Sequence, residues 1–531
     1  MAFHLFYNAT FFHLDESDLT SDAIIVENEL IMACGAYEDL AIAWPQAKQI
    51  NLKGTFVLPG FNDAHIHLWK VGSLMSHIVD LRGFNSKEKV LDALKSAGEK
   101  NPHRDEWILA RGFNEAMWEV PSLPDIRDLD TVFPDRPCQI MRTCAHIVIV
   151  NSFTLKRAGI DKDTPDPEGG MIGHFENGEP NGILYESALK LISVYIPEIT
   201  EKQYKRMILD AQGECLGMGI TSITDPEIYQ PQLKAYEELE KEGLLKIRIN
   251  LFPVHLPALT PVKPKISKGK CDRKLQIDTV KFFADGGLSG QTAALFRPYL
   301  GSENNGILRM ERDYFFKRAK KTQEKGWKIA THAIGDAAIE QVISIYKDLK
   351  KEENNQLCHR IEHLGLPQEK NLQDMQELGI IAVSQPAFVR ELGPNFRQYL
   401  DEEYQKGIYP YQKILNKKVT LAFSSDAPVV KDFRPLTGIK DSMERKDLNG
   451  FIHNKDEKVS MKNAFLAYTK GGAMADGQVG IKGELAPGFL ADFIVLDKNP
   501  FSTSLDDWEN IQVLEVFIGG ESVFNKENKE L

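Results

Sequence analysis

An α/β fold, a (β/α)8 barrel of the TIM type, is predicted by two patterns in the 531-residue chain. From about residue 200 onward, short apolar runs alternate with longer amphipathic segments. Together with the run ending at Leu58 these make eight strand candidates, the count of such a barrel. A doubly wound sheet is the alternative on pattern alone.

Taken in order, the first elements are "FHLFYNATFF" and "AIIVENELIMACG", which read as short β segments, as do "ADFIVLD" and "IQVLEVFIGGESVF" near the other end. Both ends are expected to pair into one companion β-sandwich, residues 1–56 with 475–531, leaving 57–474 for the barrel. The barrel opens with "VLPGFNDAHIHL", residues 57–68, in which Pro59-Gly60 ends the regular ladder after Val57 and Leu58. His65 and His67, two apart in an extended segment, point the same way.

About 160 residues separate this strand from the next, too many for one connecting helix. An inserted subdomain over roughly 68–200 is therefore expected, with turn-rich "DKDTPDPEGG" beside helical "SKEKVLDALKSAGE". The remaining strand candidates are "GITSITDP" (219–226), "LKIRINLFPV" (245–254), "IDTVKFFADGG" (277–287), "KIATHAIGD" (328–336), "HRIEHLG" (359–365), "IIAVSQPAFV" (380–389) and "VTLAFSSDAP" (419–428). Segments such as "AIEQVISIYKDLKKE" between them carry the helical period.

Composition narrows the function classes. Hydrophobic residues at 42% and charged residues at 26% exclude a disordered or fibrous chain. The net charge of -12, with no basic stripe beyond "PVKPKISKGKCDRK" at 261–274, argues against nucleic acid as a partner. No apolar run approaches the roughly 18 residues of a membrane span, and "MAFHLFYNATFFHLDESD" lacks the features of a signal peptide, so a cytoplasmic location is expected. Six cysteines scattered without CxxC spacing read as reduced core residues.

Barrel active sites sit at the C-terminal edge of the strands, where several strands each contribute one or two groups. Here that edge collects His65, His67, Lys281, His332, His363 and Asp426. Any one of these histidines alone reads more simply as a hydrogen-bonded core residue, but such a series on successive strands points to a metal. Imidazole and carboxylate ligands suit zinc. Lys281, inside an apolar strand, either pairs with Asp285 or a neighbour, or is a buried amine that takes up carbon dioxide to become a bridging carbamate.

In chain order, "LPGFNDAHIHL", "VKFFADGGLSGQTA", "THAIGDAA", "RIEHLG", "FSSDAP" and "GELAPGFLADFIVLDKNP" resemble the metal-dependent amidohydrolase superfamily. More narrowly they resemble its third family, the N-substituted formamide deformylase-like branch, and the likeness extends through "ARGFNEAMWEVPSLPDIRDLD", "CAHIVIVNSFTLKRAGI" and "PEGGMIGHFENGEPNGILYESA". The resemblance implies one or two divalent metals, most readily Zn2+, on His65, His67, carboxylated Lys281, His332, His363 and Asp426. It implies Asp426 as the catalytic acid-base and the terminal segments as the companion β-sandwich. It also brings Trp118, His146 and Asn151 of the insertion toward the substrate, with ordinary packing as the other reading of these three.

The expected reaction is hydrolysis of a C–N bond, in an amide or formamide-type small molecule, by metal-activated water. Hydrolysis of esters, lactones or phosphoesters by the same centre is the first alternative, and a non-catalytic barrel protein the second. The expected partner is a small-molecule amide, with no nucleic acid and no membrane, and a homodimer is allowed.

Overall fold

The computed structural model describes residues 3–14, 19–100, 106–115, 118–143, 147–167, 170–255, 274–352 and 358–527. His146 and most of the basic 261–274 stretch lie outside the described residues. The chain forms two compact units, residues 1–68 with 212–531, and residues 69–211.

The larger unit is organised around eight parallel strands: β1 (Phe61–Asp63), β2 (Ile220–Ile228), β3 (Arg248–Pro253), β4 (Thr279–Phe283), β5 (Lys328–Ala333), β6 (Arg360–His363), β7 (Ile381–Ser384) and β8 (Leu421–Phe423). Each pairs with the next in sequence. The β3–β4 step is made by a parallel bridge between Val254 and Lys281 and by the His255 N–H donating to the Lys281 carbonyl at 2.8 Å. The Ala64 N–H donates to the Phe423 carbonyl at 3.3 Å and brings β8 back to β1. The strands are short and nearly continuous in apolar character because both faces are covered, the pattern of a parallel sheet flanked by helices.

The helix Asp336–Glu352 shows how the outer layer is held. Ile339, Val342, Ile343, Tyr346 and Leu349 recur at helical spacing and are buried. Each such aliphatic side chain contributes about 1.5–3 kcal/mol when fully withdrawn from water. Lys350 and Lys351 close the last turn, where the helix dipole favours cations.

Strands from both ends of the chain form one seven-stranded sheet. Its order is Glu521–Asn525, Val513–Ile518, Phe493–Leu496, Lys48–Pro59, His4–Phe12, Thr20–Glu27, Leu30–Gly35. The sheet curls over its own core: the Phe6 ring lies 5.1 Å from both Phe493 and Phe517, which stack on each other at 4.6 Å.

One expectation needs correcting here. The strand ending at Leu58 belongs to this terminal sheet, where Leu58 pairs with Ile494, and the first strand of the ring is Phe61–Asp63. The boundary between the two therefore lies at Gly60 and not at residue 57. The Pro-Gly pair is a crossing point between two sheets, and both strands it separates are apolar, so the run reads as one. Glycine is required there because a Cβ on Gly60 would come within 2.2 Å of Thr221 Oγ1.

The second unit, Trp69–Ala211, runs further than the expected end near 200. It contains a six-stranded sheet ordered Gly170–His174, Pro180–Glu186, Ile147–Val150, Cys138–Arg142, Ile108–Phe113, Val79–Asp80. Its helix Lys87–Lys100 is the one the sequence predicts, with Val90 and Leu94 buried. No described helix of the chain is long and apolar enough to cross a membrane.

Candidate metal centre

Two residues beyond β1, His65 is stitched in place by its backbone: the His65 N–H donates to Asp63 Oδ1 at 3.1 Å, and its carbonyl accepts from the Asp426 N–H at 2.7 Å. Asp63 Oδ1 also accepts from the Ser425 N–H at 3.1 Å, so one buried carboxylate ties the segment after β1 to the segment after β8. The His67 N–H donates to the Ala427 carbonyl at 2.9 Å and completes the lacing. Burial pushes the Asp63 carboxyl up to about 7 against the hydrogen bonds that favour its charge.

This lacing brings His65, His67 and Asp426 together, one ligand atom of each lying within 4.8 Å of the others. Asp426 Oδ1 is 3.4 Å from His65 Nε2 and 3.3 Å from His67 Nε2. The oxygen is buried and makes no hydrogen bond. Two imidazole nitrogens and a carboxylate oxygen so placed form a donor set that suits a divalent cation.

Lys281, His332 and His363 line the same cavity, of about 250 Å³. The His332 and His363 rings lie 4.5 Å apart, and His363 lies 4.9 Å from His65. All six sequence-predicted site residues therefore meet at one place. Burial, helped by Lys281 and neighbouring imidazoles, holds His65 and His363 well below the usual imidazole range. Burial and Lys281 bring His332 down to about 3. These imidazoles are neutral at pH 7, the form that binds a metal.

The Lys281 amine is buried with no hydrogen-bond partner, and burial lowers it to about 8. Its expected alternative partner is committed elsewhere: Asp285 accepts from the backbone N–H groups of Ala294 (3.0 Å), Ile334 (3.1 Å) and Gly335 (2.8 Å). Asp285 therefore shapes the loops after β4 and β5.

His363 and Asp426 have left-handed backbones, with φ of 72° and 55°. Such conformations cost about 1–3 kcal/mol in ordinary residues and cluster at functional sites. At His363 the turn breaks strand alternation, so Glu362 and His363 both reach the interior. Glu362 accepts from His65 Nδ1 and is ion-paired with Arg360. Burial pushes the Glu362 carboxyl up, but Arg360 and Lys281 outweigh it and leave the group below the usual carboxylate range. Sequence reasoning missed Glu362, Arg360 and Asp63; the only signals are acids beside ligand histidines in "RIEHLG" and "FNDAHIHL".

The rest of the cavity wall is mostly apolar, with Phe283, Leu288, Ile334, Phe388, Leu392, Phe396, Tyr409 and Val429 beside Gly287 and the polar Ser289. A larger cleft of about 660 Å³ elsewhere, bordered by Arg390, Asp441 and Trp508, contains none of the six residues.

Two of the insertion residues, Asn151 and Trp118, have partners within the second unit, in keeping with the ordinary-packing reading of them. Asn151 is fully buried and caps the helix Ser152–Ala158 through Thr154 N (3.1 Å), while its amide donates to the carbonyls of Phe133 (2.6 Å) and Arg136 (2.7 Å). Those bonds leave it no donor for a ligand. Trp118 packs in the hydrophobic core of the second unit and donates from Nε1 to the Phe84 carbonyl at 3.1 Å.

Such a site on such a fold defines a metal-dependent hydrolase, and comparison with known proteins gives the family. Residues 48–524 match the Amidohydrolase family, and the chain belongs to it. It is 31% identical to putative amidohydrolase YtcJ of Bacillus subtilis (strain 168), with 97% of each chain covered. It is 24% identical to an N-substituted formamide deformylase of Arthrobacter pascens, over 97% of this chain and 96% of the relative. The solved structure of an uncharacterised metal-dependent hydrolase from Pyrococcus horikoshii OT3 matches with a TM-score of 0.78 at 25% identity, over 95% of this chain and 99% of that one.

Proposed function

We propose that the protein hydrolyses a C–N bond in a small neutral amide or formamide that carries an apolar arm. The observation behind this reading is the buried His65–His67–Asp426 group facing a cavity with a mostly apolar wall. The eight-strand ring is read as a (β/α)8 barrel, with the curled terminal sheet as its companion sandwich. Zn2+, as one or two ions, is the metal best suited to the neutral imidazoles, and Lys281 as a carbamate would supply it with an oxygen ligand. The wild-type amine, free of hydrogen bonds and lowered to about 8, has the reactivity that carbamate formation needs.

A divalent ion held there supplies Lewis acidity and lowers the pKa of water from about 16 toward about 7. Asp426 accepts the proton of the attacking water and passes it to the departing nitrogen. Across the reaction a water O–H bond and the C–N bond break, while C–O and N–H bonds form. Phe388, Leu392 and Phe396 grip the apolar arm, and with Lys281 as a carbamate and the imidazoles neutral no cationic side chain is among the described lining residues. An acyl-amino acid has no countercharge for its carboxylate in that wall, so a neutral substrate fits better.

Metal analysis of the purified protein together with a screen of N-substituted formamides, acyl-amines, cyclic amides and matched esters tests the reading. Amide turnover lost on chelation and restored by Zn2+ is expected. Ester turnover with inert amides overturns it.

A further inference from the structure

We propose that Glu362, held by Arg360, is a positioning residue that fixes the tautomer of His65 and aims its Nε2 at the cation site; this rests on the metal-centre reading above. Glu362 and His65 are 297 positions apart in sequence and both are buried. A carboxylate only accepts hydrogen bonds, so its contact with His65 Nδ1 assigns the imidazole proton to Nδ1. The lone pair is then on Nε2, the nitrogen 3.4 Å from Asp426 Oδ1. A lone pair and a carboxylate oxygen at that separation repel unless a cation lies between them.

Arg360 completes the arrangement from two directions. Its Nε donates to Glu362 Oε1 and its Nη2 to Glu362 Oε2, the latter at 2.9 Å. Nη2 also donates to the carbonyl of Ala64, the residue preceding His65. One guanidinium thus anchors both the acid on the His65 ring and the backbone that carries it. A buried ion pair is weak support for stability, because well-packed apolar residues often do as well. A role in orienting a metal ligand explains why charge is kept here; such outer partners are typically worth about 10–100-fold in metal affinity.

The test compares metal dissociation constants, by chelator competition, for wild type, Glu362→Gln and Glu362→Leu. Both variants leave Arg360 without its carboxylate, and only Glu362→Gln keeps an oxygen that can accept from His65 Nδ1. Glu362→Leu should bind metal about 10-fold or more weakly than Glu362→Gln. Equal affinities overturn the positioning role. In the metal-free wild type, side-chain 15N–1H spectra should show the His65 proton on Nδ1, assigned by its loss in His65→Ala. A proton on Nε2 overturns the proposal whether or not any variant folds. A wild-type protein without metal affinity overturns the metal-centre reading itself; one that binds metal regardless of residue 362 overturns only the positioning role.

Discussion

The backbone N–H of Asp426 donates to the carbonyl of His65 at 2.7 Å, so the proton-accepting residue after β8 and a ligand after β1 are fixed by one main-chain bond. The bond needs no side chain. Either residue can therefore be replaced while the geometry of the other is kept.

We accordingly predict that Asp426→Asn keeps the fold and most of the metal but loses turnover by about 10²–10⁴-fold, the usual worth of a general base. Circular dichroism, metal content and kcat on one verified substrate check this. Near-normal kcat removes Asp426 from the proton-transfer role.

His65→Ala and His67→Ala should each lose metal and activity together, because their Nε2 atoms approach the same Asp426 oxygen. Elemental analysis after dialysis is the measurement. Full metal content in either variant would make the pair structural.

Lys281→Ala should be inactive and partly restored by bicarbonate or a short carboxylic acid, which puts an anionic oxygen in the vacated space. Lys281→Arg keeps a cation but forms no carbamate, and should stay inactive. An active arginine variant contradicts the bridging role.

In the metal-free protein the buried site imidazoles should each cost stability as pH falls below about 6.5. His332 takes its proton near 3 when folded and near 6.5 when unfolded, so the unfolded chain binds more protons across that window and stability rises with pH through it. His65 and His363 shift in the same direction. Each fully shifted imidazole contributes a slope of about 1.4 kcal/mol per pH unit. The buried Asp63, Asp285 and Asp441 carboxyls, raised to about 7, act in the opposite direction. Urea midpoints at pH 7.0 and 5.5 are therefore compared between wild type and His332→Gln, and a difference between the two pH values unchanged by the substitution would mean that His332 titrates freely in the fold.

Gly60→Ala should destabilise the protein by about 1–3 kcal/mol, the usual cost of overpacking, since the added methyl meets Thr221. Thr221→Gly in the same chain should recover part of that loss in thermal melts. An unchanged melting temperature for Gly60→Ala would show that the crossing can yield.

The convergence of the six site residues was legible because five of them follow or lie near the end of a short apolar run, Lys281 stands out as a charge inside one, and strand ends on one ring edge converge whatever lies between them. Period and punctuation also found β2 to β8. They failed at Leu58 because an apolar strand looks alike in either sheet, and pairing with Ile494 is invisible locally. Glu362 escaped because its partner is 297 positions away. The two readings of Asn151 stayed open because a capping asparagine and a ligand-binding one are the same residue in a sequence; its saturated hydrogen bonds favour packing.

The curled terminal sheet also bears on biosynthesis. Pro59 pairs with Phe493, 434 positions later. At about 5–20 residues per second, a ribosome needs roughly 20–90 s to deliver that partner. Through that interval the edge of Lys48–Pro59 that faces Phe493–Leu496 waits unpaired, while ring strands emerge behind it. A nascent chain stalled before residue 493 should therefore be captured by holdase chaperones through its first 60 residues, and release should coincide with emergence of Phe493–Leu496. Protease footprinting of stalled chains would show the opposite if those early strands are already protected.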